Sequence, residues 1–76
     1  MYGIMINEQE RREVEYLLKR EMEEIMFDLG DHRIDQNLKN AMEDRYEVLF
    51  QIFRRFANRD EILQYLPRKK KQNETR

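Results

Sequence analysis

Three groups of residues in this sequence have side chains capable of chemistry. Asp28, Asp31, His32 and Asp35 lie within eight positions of one another. Carboxylates and an imidazole at that density are the donor set of a divalent metal site. Arg54, Arg55 and Arg59, followed by Lys69, Lys70 and Lys71, supply guanidinium and ammonium groups for a phosphate backbone. Tyr46, Phe50, Phe53 and Phe56 recur at helical spacing and offer aromatic anchors for a protein partner.

Each group also has a plainer reading, and for most of the aromatic stripe it is the hydrophobic core. Asp31 and Asp35 both suit the cap of a following helix, and their order does not choose between them. The Glu-x-x-His pairs of carboxylate-bridged metal bundles are absent. Capping therefore outweighs metal binding, and no metal or cofactor is expected. The basic run Arg68–Lys71 has no interleaved aromatic residue on which a base could stack. Arg54 and Arg55 also suit the negative end of a helix. Nucleic-acid binding through Arg54, Arg55, Arg59 and Lys69–Lys71 is thus the alternative reading.

Covalent catalysis has little to work with. The chain has no Cys and no Ser, its only Thr is Thr75, and its only His is His32. An ordered hydroxyl or thiol nucleophile is not expected, and the two isolated glycines cannot form a phosphate-cradling loop. With 16 Asp and Glu among 76 residues, chance carboxylate pairs carry no signal. The expectation is a protein that is not an enzyme.

The elements that must position these groups read as helices. Asn7 with Glu10 three residues later forms a capping box. Val14, Leu18, Met22, Ile25 and Leu29 then mark one helical face, with Leu17, Met26 and Phe27 widening it. Gly30 suits a left-handed C-cap. Helix 1 is expected over about 8–29. Leu38, Met42, Tyr46, Leu49, Phe53 and Phe56 form a near-heptad seam, predicting helix 2 over about 36–57. Asn58 or Asp60 can cap a short third helix over about 59–66, unless helix 2 continues to Pro67. The tail 68–76 carries five basic residues and one acid, +4 against a net charge of −1 for the chain, and is expected to be disordered.

The predicted class is all-α, a single helical domain over 1–67. Its core is an antiparallel hairpin with a possible short third helix. The stripe on helix 2 is too broad for one neighbour to cover, so dimerisation into a four-helix bundle is expected, with a three-helix monomer as runner-up. No run long and apolar enough for a membrane span and no secretory leader are read in the sequence, and the expectation is a cytoplasmic protein. The expected function is a small regulatory or adaptor module that binds another protein by helix packing. Leu49, Phe50, Phe53 and Phe56 are its expected anchors, and the spacing leaves Phe50, beside the seam and not on it, open between core and an exposed anchor.

Overall fold

The computed structural model describes residues 1–67. The basic tail, with Lys69, Lys70 and Lys71, lies outside the described residues. Among these there are three helices and no strand: α1 (Glu8–Leu29), α2 (Gln36–Phe53) and α3 (Arg59–Gln64).

α1 starts where its capping box dictates. Asn7 Oδ1 accepts from the Glu10 N–H at 2.8 Å, and Glu10 Oε1 accepts from the Asn7 N–H at 2.9 Å. Two amide groups left open by the helix start are thereby satisfied. At the other end, Gly30 is right-handed, with φ −84° and ψ −2°, which corrects the expected left-handed cap. The chain tightens into a turn instead: the Gly30 N–H bonds Phe27 O at 3.2 Å and the Asp31 N–H bonds Asp28 O at 3.0 Å. Asp35 then caps α2, accepting from the Asn37 N–H at 3.0 Å. Asp31 holds Arg33 instead, through its backbone N–H and its guanidinium.

α2 ends at Phe53, four residues before the expected 57. The Arg55 and Phe56 N–H groups bond three residues back, to Ile52 O and Phe53 O. That tightened turn breaks the helix, and Asn58 restarts it by accepting from the Glu61 N–H at 3.0 Å. The third helix is therefore separate, though it spans only six residues.

α1 and α2 pack as a hairpin through matching stripes. Leu18, Met22 and Ile25 of α1 are buried against Tyr46, Phe50 and Phe53 of α2. Phe53 and Met22 are fully enclosed. Tyr65, just past α3, supplies the third wall. Its ring meets Phe53 edge-on, with centroids 5.2 Å apart and planes at 63°, an arrangement favoured by the ring quadrupoles.

Polar contacts tie the third segment down. The Tyr46 hydroxyl donates to Tyr65 O at 2.7 Å, and the Tyr65 hydroxyl donates to Glu23. Burial, and then that bond to Glu23, raises the Tyr65 pKa above its ordinary value. Lys19 pairs with Glu61 at 2.9 Å, and Arg11 donates to Phe56 O at 2.8 Å. Their order along α1 shows the course of the segment. It starts beside the first half of α1 and runs towards the interhelical turn.

Candidate functional site

The aromatic stripe is mostly interior. Phe50 is 4% exposed and Phe53 is fully buried. Of the two readings left open for Phe50, core and exposed anchor, the structure has the core. Leu49 and Phe56 are half-buried and packed on the core. The heptad frame placed Leu38 on the seam, yet Leu38 is 53% exposed. The true core of α2 is centred nearer Tyr46 and Phe53, and the third segment covers the flank that carries Phe50.

Helical geometry then fixes which face of the hairpin stays open. Residues two apart on a helix point about 200° apart. Lys19 and Glu23 of α1 face the third segment, so Leu17 and Glu21 lie on the opposite flank. Tyr46 and Phe53 of α2 meet Tyr65 of the third segment and Phe50 is buried between them, so Val48 and Ile52, two residues to either side of Phe50, lie on the opposite flank. The two open flanks adjoin each other, because Arg45 of α2 reaches Glu21 of α1 at 3.1 Å. That pair is largely solvated and contributes little stability, but it marks the register of the two helices.

The open face carries Leu17, Leu38, Ala41, Val48 and Ile52, all exposed. Val48 is more open than Leu38 or Ile52. Near the end of α2 a shallow groove is lined by Met1, Val48, Ile52, Gln51, Arg54 and Arg55, among others. Met1 belongs to an extended arm before α1, in which Tyr2, Ile4 and Met5 are exposed too. Nothing in the apolar periodicity distinguished this face from the core. The signal that could have found it is the second stripe on α2, at Ala41, Val48 and Ile52, one flank away from the seam.

Among the basic residues, Arg54, Arg55 and Arg59 are exposed. Arg54 donates to Gln51 at 3.3 Å. Arg54 and Arg55 edge the groove, whereas Arg59 opens α3. The structure thus separates Arg59 from the pair. Around the interhelical turn, Asp31 is turned towards Arg33, which lowers its pKa, and Asp35 is a helix cap. Among the described residues no three His, Asp or Glu side chains are grouped to hold a metal ion, and no helix is long and apolar enough to cross a membrane.

Comparison with known proteins gives no match to any family model, to any curated protein or to any solved structure. The reading of function accordingly rests on the geometry.

Proposed function

We propose that this chain is a non-catalytic binding module of regulatory or adaptor type, which packs the open face of its hairpin against a helical partner. One observation carries the reading. The third segment seals one side of the hairpin, while the other side leaves Leu17, Leu38, Val48 and Ile52 in water. Exposed apolar side chains are ordinary when scattered. Here Leu38, Ala41, Val48 and Ile52 follow the spacing of a helix-packing seam along one flank. The anchors are therefore Val48 and Ile52, one turn apart, with Leu17 across the Glu21–Arg45 pair.

Photo-crosslinking in the producing cell tests this. A benzophenone side chain at Val48 should form adducts, and one at Arg20, on the outward side of α1, should form few. Equal yields at both positions, or none at Val48, would remove the open face as the binding surface.

A further inference from the structure

We infer that the occupant of the open face is a second copy of this chain, with α2 packed antiparallel on its counterpart about a two-fold axis. This rests on the open face being a binding surface and names what fills it.

The first observation is spacing. The outer stripe of α2 and the turn that continues it is Leu38, Ala41, Arg45, Val48, Ile52 and Arg55. Its steps are three, four, three, four and three, the same from either end. Alternating steps of three and four let the stripe meet a reversed copy of itself residue for residue, and a two-fold interface then requires the facing residues to be complementary. The match sets Ala41 opposite Ile52 of the other copy, small against large. Val48 then lies over the aliphatic stem of the other copy's Arg45, whose guanidinium is held by Glu21.

The second observation is charge. Glu21 and Arg45 stand at one level of the hairpin. Seven residues towards the turn, Asp28 of α1 and Leu38 of α2 share another level. In the reversed copy Arg55 falls opposite Leu38, and so beside Asp28. Among the described residues neither Asp28 nor Arg55 has an ion-pair partner within the chain, and neither does Glu24 one turn before Asp28. The antiparallel arrangement satisfies both ends at once. A parallel one would set Arg55 against Arg55, which is repulsive, and would leave Asp28 without that partner.

Sedimentation equilibrium of the full chain tests the inference, with circular dichroism to confirm that each variant is folded. The wild type should be dimeric. Arg55→Glu and Asp28→Arg should each weaken the dimer about tenfold, since the two-fold axis repeats the pair. The double charge swap should recover affinity to within about threefold of wild type. Val48→Asp, which buries a charge twice per dimer, should weaken it by more than about a hundredfold. A wild type that stays monomeric to about 1 mM overturns the inference. So does a double swap no better than the singles. If crosslinks at Val48 then join the chain to a different protein, the binding face stands and only its occupant is wrong. If Val48 forms no crosslink, the binding face itself is wrong.

Discussion

Phe53→Ala should remove a large part of the protein's stability at room temperature. The ring is fully buried and lies between α1 and the edge-on ring of Tyr65. Truncating a buried phenylalanine costs about 3–5 kcal/mol, and a domain of this length has a total stability of about 4–11 kcal/mol. Urea unfolding followed by circular dichroism measures the difference. A loss below about 1 kcal/mol would mean that Phe53 is not the centre of the core.

The second large effect is expected at Tyr65. Tyr65→Ala should cost about 3 kcal/mol and lower Tm by roughly 15 °C. It removes both the ring on Phe53 and the hydroxyl bond to Glu23. Tyr65→Phe separates the two, because it keeps the ring and should cost only about 1 kcal/mol. Tyr46 still donates to the backbone carbonyl of residue 65 in either variant. Thermal melts of the two variants side by side give the partition. Equal melting temperatures for Tyr65→Ala and wild type would show that the third segment does not close the hairpin.

The hairpin is legible in the sequence because its determinants are local. The capping box at Asn7 and Glu10 and the α1 stripe from Val14 to Leu29 follow from spacing alone, and the structure has both. The features that were not legible depend on contacts between distant residues. Phe50 is interior because the third segment wraps that flank of α2, anchored by Tyr65 through Phe53 and Glu23. Tyr65 lies two residues before Pro67 in a short apolar stretch, 62–66, that spans too few turns for periodicity to single out one residue. The early end of α2 comes from the tightened turn at Arg55 and Phe56, where the residue types remain compatible with helix. Gly30 permits a left-handed cap without requiring one, and the turn through Asp31 used the right-handed form.

The candidate site was hidden for a related reason. A broad apolar stripe on α2 is visible in the sequence, but which half faces inward depends on the side from which the third segment approaches. Once Lys19, Glu23 and Phe50 are placed on the closed side, Leu17, Val48 and Ile52 must be on the open one. The expected anchors Leu49, Phe50, Phe53 and Phe56 belong to the packed half, and the exposed half carries aliphatic side chains instead.

The measurement that tests the open face most directly is thiol alkylation inside the producing cell. The chain has no Cys, so Val48→Cys and Arg20→Cys each carry a single reactive site on an exposed helical position. Labelling rates with a permeant maleimide are compared between intact cells and dilute purified protein. Binding through the open face predicts that Val48→Cys reacts several-fold more slowly in cells than in dilute solution, on the order of fivefold if most of the protein is bound, while Arg20→Cys changes little after correction for reagent entry. Equal slowing at both positions, or none at Val48→Cys, would contradict it.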